Sequence, residues 1–155
     1  MNLRRQTLAL ETCLREELSG QASRCARLAS MESAVRSADP SGLEEAAREL
    51  LRELEAGIER ARVRGRVLAQ LAAALEIAPA RVGAVAEALG AEGARLLLLR
   101  TELRAACADA LARGRRLATL VRAHGALVEE ALGRFLAPDP TGAPLGRGSL
   151  VDARA

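Results

Sequence analysis

Apolar residues recur every three or four positions along most of the chain, which is the spacing of one face of an α-helix. The longest run covers residues 92–136, and no proline interrupts it before Pro138 and Pro140. At ~1.5 Å per residue a continuous helix here would be roughly 65–70 Å long, too long for a compact globule. The pattern therefore predicts one long C-terminal helix, against which the upstream helices pack.

Two helices of nearly equal length are predicted upstream, over residues 2–36 and 43–77. The turn between them contains Asp39 and Pro40, which break the first helix and offer a cap for the second. Equal lengths and a short connection predict an antiparallel hairpin. The apolar stripe of the second helix consists of Ala47, Leu51, Leu54, Ile58, Ala61, Leu68, Ala72 and Leu75.

A short helix is predicted at 81–89, between Pro79 and Gly90, which suit a helix start and a helix end respectively. Beyond the long helix, residues 137–155 are rich in glycine and proline and are expected to be disordered in the free chain. The predicted fold is all-α: an elongated antiparallel helical bundle or coiled coil with one long C-terminal helix and a disordered tail.

Composition supports this prediction. Of 155 residues 50% are hydrophobic, yet Phe135 is the only aromatic, and the remainder are mostly leucine, alanine and valine. Such chains usually form long helices. The net charge of +3 comes from arginine alone. Absence of lysine beside abundant alanine, arginine and glycine is typical of a GC-rich genome, so the basic charge is weak evidence for nucleic-acid binding.

The three cysteines, Cys13, Cys25 and Cys107, are an odd number without a CxxC pair and fit reduced helix residues. The sequence shows neither a signal peptide nor an apolar run near the ~20 residues that span a bilayer. We therefore expect a cytoplasmic protein that does not insert into membranes.

Catalytic and metal-binding patterns are missing from the sequence. His124 is the only histidine, and no cysteine pair accompanies it, so a zinc or His/Cys site is not expected. Glutamates alternate with arginines at spacings that favour surface pairs such as Glu44–Arg48. Phosphate-binding loops and nucleophile elbows are absent. The sequence predicts no enzyme activity and no cofactor.

An arginine cluster formed by Arg60, Arg62, Arg64 and Arg66 leaves one alternative open. It could contact phosphates or an acidic partner. No aromatic residues alternate with it for base stacking, so a solvated basic face is the favoured interpretation. A basic helical nucleic-acid-binding protein remains the alternative from a different functional class.

The apolar stripe broadens in the second half of the long helix, beyond what one helix pair covers. These residues are candidates for binding a partner: Leu117, Leu120, Val121, Leu127, Val128, Leu132, Phe135 and Leu136. The alternative is packing on the first helix or on a second copy in a homodimer. Up to Leu120 internal packing is favoured, and past Leu127 both interpretations stand.

The layout resembles the FlgN family of flagellar export chaperones: two equal helices, a short piece, one long helix, and a tail with Gly142 that ends in residues 150–155, Leu-Val-Asp-Ala-Arg-Ala. The resemblance implies a cytoplasmic, non-enzymatic chaperone. Its expected partners are the first and third hook-associated proteins, bound through C-terminal helical segments, and the cytoplasmic domain of the export gate. Leu150 and Val151 join the candidate binding residues on this basis. Relatives often carry a tyrosine where the tail begins, whereas Phe135 is the nearest aromatic here.

Overall fold

The structure is a computed structural model that describes the backbone of residues 3–136 and the side chains of residues 3–134. Its elements in chain order are α1 (Leu3–Arg36), α2 (Pro40–Ala74), α3 (Val82–Ala88), a 3₁₀ turn (Gly90–Gly93) and α4 (Ala94–Leu136). No strand occurs within residues 3–136. The predictions of an all-α fold and of a long C-terminal helix are confirmed.

The chain divides into two units between Val121 and Arg122, so the boundary falls inside α4. The first unit holds α1, α2, α3, the 3₁₀ turn and α4 as far as Val121. The described part of the second unit is the remainder of α4. The sequence predicts a single boundary, between a helical bundle that ends at residue 136 and a tail that begins at residue 137. That tail lies outside the described residues.

Helices α1 and α2 form an antiparallel hairpin. Ion pairs show this direction, since they join late positions of α1 to early positions of α2 and earlier positions of α1 to later positions of α2. Arg27 and Glu49 lie 2.6 Å apart near the turn, and Glu17 pairs with Arg64 further away. Helix α2 starts at Pro40, three residues before the predicted start, since proline suits a first helical turn. The cap is Asp39, whose side chain accepts a 3.0 Å hydrogen bond from the Gly42 N–H.

Both helices of the hairpin end in Schellman motifs that the sequence does not signal with glycine. At the end of α2, the N–H of Glu76 donates to the Ala73 carbonyl and that of Ile77 donates to the Ala72 carbonyl, at 3.2 and 2.9 Å. This arrangement places Glu76 at φ 57°, in the left-handed region. The predicted helix end at residue 77 is therefore wrong by three residues, and Ile77 instead turns back onto the core.

One hydrophobic core joins α1, α2, α3 and α4, and it lies where α3 and the start of α4 meet the hairpin. Five of its side chains are essentially inaccessible to solvent: Leu10 and Leu14 of α1, Leu71 of α2, Val85 of α3 and Leu96 of α4. Burying each contributes roughly 1.5–3 kcal/mol. The core fixes the first turns of α4 beside the N-terminal part of α1.

Two glycines set the direction in which α4 leaves α3. Gly90 follows α3 with φ 58°, a conformation that costs glycine little. Gly93 is buried, and a Cβ added there would overlap the Ala86 carbonyl. The backbones of α3 and the 3₁₀ turn therefore lie so close together that only glycine, which has no Cβ, fits at position 93.

We predict that Glu76→Gly raises the free energy of unfolding by about 1 kcal/mol, because a left-handed conformation costs a residue with a Cβ roughly 1–2 kcal/mol and glycine much less. Urea unfolding followed by circular dichroism measures this change. Glu76→Ala removes the same charge but keeps the Cβ, so it should leave stability almost unchanged. A similar increase in the free energy of unfolding for both variants would show that loss of the charge causes the effect instead.

We predict that Gly93→Ala lowers the free energy of unfolding by roughly 2–3 kcal/mol, because the new methyl group overlaps rigid backbone. Gly114→Ala is the matched control, since nothing lies within 4 Å of a Cβ at this position inside α4. That control should gain up to ~1 kcal/mol from helix propensity. Equal effects of the two substitutions would contradict the close approach at Gly93.

Candidate functional site

The burial of apolar residues on α4 changes along the helix. In the first unit Leu96, Leu99, Leu103 and Leu117 are all at most 8% exposed. In the second unit every described side chain, from residue 122 to residue 134, is exposed. The spacing of leucine and valine continues across this change. Because the later apolar residues are exposed, they have no packing partner among the residues that the structure describes.

We define the C-terminal stripe as Leu127, Val128 and Leu132, which are 64%, 48% and 53% exposed. Val128 and Leu132 are four residues apart, and Leu127 flanks them, so the three side chains lie on one side of the helix. Glu130 lies on the side of the helix opposite to Val128 and Leu132, and it forms an ion pair at 2.5 Å with Arg134, which borders Leu127. This part of α4 is therefore amphipathic, with its apolar side open to solvent.

The structure divides the residues predicted to bind a partner. Leu117 is buried and Leu120 half-buried within the first unit, as internal packing requires, and Val121 is exposed. Phe135 and Leu136 belong to the backbone of α4, but their side chains lie outside the described residues. Leu150 and Val151 also lie outside them. The structure thus leaves Val121 and the C-terminal stripe as the described candidates.

A second exposed apolar surface, which we call the α2 surface, was not anticipated from the sequence. It consists of Leu51, Leu54 and Ile58, which belong to the stripe predicted to pack within the bundle. Leu51 and Ile58 are instead 61% and 60% exposed. Apolar spacing alone did not reveal this, because the side of α2 that faces α1 carries charged residues in its middle.

Those charged residues form an ion-paired layer between α1 and α2. Arg64 pairs with Glu17 across the two helices, and Arg60 pairs with Glu53 within α2. Arg60 lies against Gly20 of α1, where the missing side chain leaves room for its guanidinium. The layer replaces apolar packing in the middle of the hairpin.

The arginine cluster predicted from the sequence is therefore not one solvated face. Arg60 and Arg64 are half-buried in the ion-paired layer, and only Arg62 and Arg66 are exposed, both near Glu59. A half-buried, paired arginine has little capacity to bind phosphate. Two of the four residues on which the nucleic-acid alternative depended have a structural role instead.

Burial dominates the electrostatics of Glu17. Loss of solvation raises the pKa of its carboxyl above the usual value, although Arg64, Arg60 and Arg24 lower it. One oxygen of Glu17 is buried without a hydrogen-bond partner among the described atoms. The ion-paired layer thus contains a carboxylate whose charged form is disfavoured in the fold.

The remaining reactive groups are dispersed. His124 is exposed on α4, and the free cysteines are Cys13, Cys25 and Cys107, which are buried, half-buried and exposed. Burial also raises the pKa of the Cys13 thiol, which favours the unreactive form. Within residues 3–134 no three histidine, cysteine or carboxylate side chains are grouped to hold a metal ion.

Comparisons of the chain with protein-family models, with curated proteins and with solved structures each found no match. In the part of the chain that the structure describes, none of the helices combines the length and apolar character needed to cross a membrane.

We predict that the stability of the wild-type protein, relative to Glu17→Gln, decreases as pH rises from 4 to 7. The pKa of Glu17 is higher in the folded protein than in the unfolded chain, where it is near 4.5. Such a group stabilises the fold when the pH is below the unfolded-state pKa, and this contribution is lost as the pH rises through the folded-state pKa. Urea unfolding of both proteins across this pH range measures the difference. A relative stability that increases with pH would show that the Glu17–Arg64 attraction outweighs burial.

Proposed function

We propose that this protein is a flagellar export chaperone of the FlgN type, which binds C-terminal helical segments of the first and third hook-associated proteins. The observation that supports this most directly is the C-terminal stripe, because an amphipathic helix with an open apolar side is suited to pairing with another amphipathic helix. The layout of helices and the tail sequence supply the family resemblance.

The physical role follows from the chemistry of the stripe. A secreted subunit that assembles through an amphipathic helix exposes apolar surface before assembly. Pairing that helix with α4 removes both apolar surfaces from water at about 25 cal/mol per Å². A specific interface needs about 800 Å² from each partner, so the C-terminal stripe would act together with Phe135 and Leu136 of the same unit. The bound subunit could then neither polymerise nor aggregate.

Delivery to the export machinery is the second part of this proposal. The family resemblance assigns it to the cytoplasmic domain of the export gate, and the protein would accordingly work in the cytoplasm. The chain contains no tyrosine, so it would have to dock without a tyrosine at the start of the tail. Phe135 is the aromatic residue nearest to that position and would take its place.

The test is to titrate purified first and third hook-associated proteins with the full chain and with Val128→Asp and Leu132→Asp. Each aspartate places a charge in the apolar interface, and desolvating it costs several kcal/mol, so affinity should fall at least ~100-fold. Isothermal titration calorimetry measures the affinity. Circular dichroism should show unchanged helix content, since both positions are exposed.

Ala126→Asp is the matched control, because this exposed alanine lies about 200° around the helix from Val128. It introduces the same charge on the same helix and should leave affinity unchanged. Wild-type affinity in the Val128→Asp and Leu132→Asp variants would rule out the C-terminal stripe as the binding surface. Absence of binding by the unmodified chain would count against the chaperone function itself.

A homodimer is the second candidate, and the α2 surface favours it because it offers a further exposed apolar area for self-association. Sedimentation equilibrium separates the two functions. The chaperone proposal predicts a monomer that forms a complex with a hook-associated protein. A tight dimer that binds neither hook-associated protein would favour a purely structural coiled coil.

A further inference from the structure

A cleft of about 720 Å³ lies in the first unit, between α1, α2, α3 and the first part of α4. Its floor is apolar and consists of Leu14, Leu68, Val82 and Leu103. Leu14 and Leu103 are also members of the hydrophobic core, so the floor is a fixed part of the fold. The volume falls within the roughly 300–1,000 Å³ of small-molecule sites.

The rim of the cleft is strongly cationic. Arg81, Arg100 and Arg104 line it, and none of the three forms an ion pair with any carboxylate in residues 3–134. Arg64 also lines the cleft but is paired with Glu17. Three arginines without carboxylate partners around one apolar floor create a site for an anion.

The opposing charge at the cleft is small. Glu87 is the single carboxylate among the lining residues, and it forms no ion pair within residues 3–134. Arg100 lies over Gly83, with a guanidinium nitrogen 3.5 Å from the position that a Cβ would occupy there. The formal charge on the rim therefore stays positive, and the guanidinium groups remain free to donate hydrogen bonds.

The dimensions of the cleft determine the size of the ligand. On α4 the lining residues run from Arg100 to Cys107, which is about 10 Å along a helix. That length is too short for a helix-in-groove interface, which needs about 800 Å² from each partner. It suits a small molecule whose apolar body covers the floor and whose anionic group meets the rim.

We propose that this cleft binds a small amphipathic anion, with an apolar body about 10 Å long and a carboxylate, phosphate or sulfonate head held by Arg81, Arg100 and Arg104. Arginine provides paired N–H donors that match such oxyanions, and these charge-assisted hydrogen bonds are stronger than neutral ones. The site involves only the first unit, so it is independent of the proposed chaperone function.

The first test titrates the full chain with octyl phosphate by calorimetry. Octyl glucoside supplies the same apolar chain without the charge, and inorganic phosphate supplies the head without the chain. We expect 1:1 binding of octyl phosphate, with both other compounds at least ~10-fold weaker. Equal binding of octyl glucoside would overturn the role of the arginines, and equal binding of inorganic phosphate would overturn the role of the floor.

Variants locate the site. Arg100→Gln combined with Arg104→Gln should weaken octyl phosphate binding at least ~10-fold. Arg115→Gln combined with Arg116→Gln is the matched control, because it removes two charges from exposed positions on the same helix outside the cleft. The control should bind as the wild type does. Equal affinity of the two double variants would overturn the assignment.

Cys107 gives a second, independent readout, because it is exposed and lines the cleft. Octyl phosphate should slow alkylation of Cys107 by iodoacetamide without slowing alkylation of Cys25, which lies outside the cleft. Unchanged alkylation of Cys107 at saturating ligand would overturn the proposal. Binding to phosphatidylglycerol vesicles without binding of monomeric octyl phosphate would also overturn it and would indicate a membrane surface instead.

Discussion

The apolar stripe of α4 continues further than its burial does, and the functional account depends on this difference. Leu103 and Leu117 are buried within the first unit, whereas Leu127 and Leu132 are exposed in the second. A helix that lacks tertiary packing is marginal in water unless a formed helix nucleates it. The packed part of α4 supplies that nucleus, and adding further turns is inexpensive, so α4 can hold an unpaired apolar side in helical form.

The packed part of α4 depends in turn on how the chain reverses after the hairpin. The Schellman motif at the end of α2 brings Ile77 back onto the core, and the close approach at Gly93 fixes the 3₁₀ turn against α3. Leu96 then enters the core as α4 begins. The same packing places Arg100 and Arg104 beside α3 and so forms the cationic rim of the cleft. One local arrangement therefore positions both the long helix and the cleft.

The helical fold was predictable because apolar spacing and proline positions carry that information directly. The end of α2 was not, since Glu76 adopts a left-handed conformation that sequence rules expect of glycine. The orientation of α2 in mid-hairpin was misjudged for a different reason. Its ion-paired layer buries Glu53 and Arg60 partly while leaving Leu51 exposed, and spacing cannot tell which of two adjacent sides faces the neighbour.

The candidate site shows the same limit of sequence reasoning. Apolar spacing favoured internal packing up to Leu120 but left two interpretations open past Leu127, and the structure shows that Leu117 is buried and Leu132 is exposed. The cleft was missed entirely, because its residues come from four segments and no local motif joins Leu14, Arg81 and Arg104. Sites built from distant segments leave no spacing signal in a single sequence.

Hydrogen–deuterium exchange along α4, in the free protein and with excess first hook-associated protein, tests the central claim most directly. The free protein should show slow exchange around residues 96–117 and fast exchange over residues 122–134, because stable packing protects backbone amides and its absence does not. Binding should protect residues 122–134 specifically. Saturation by the hook-associated protein with no new protection in this segment would contradict the account.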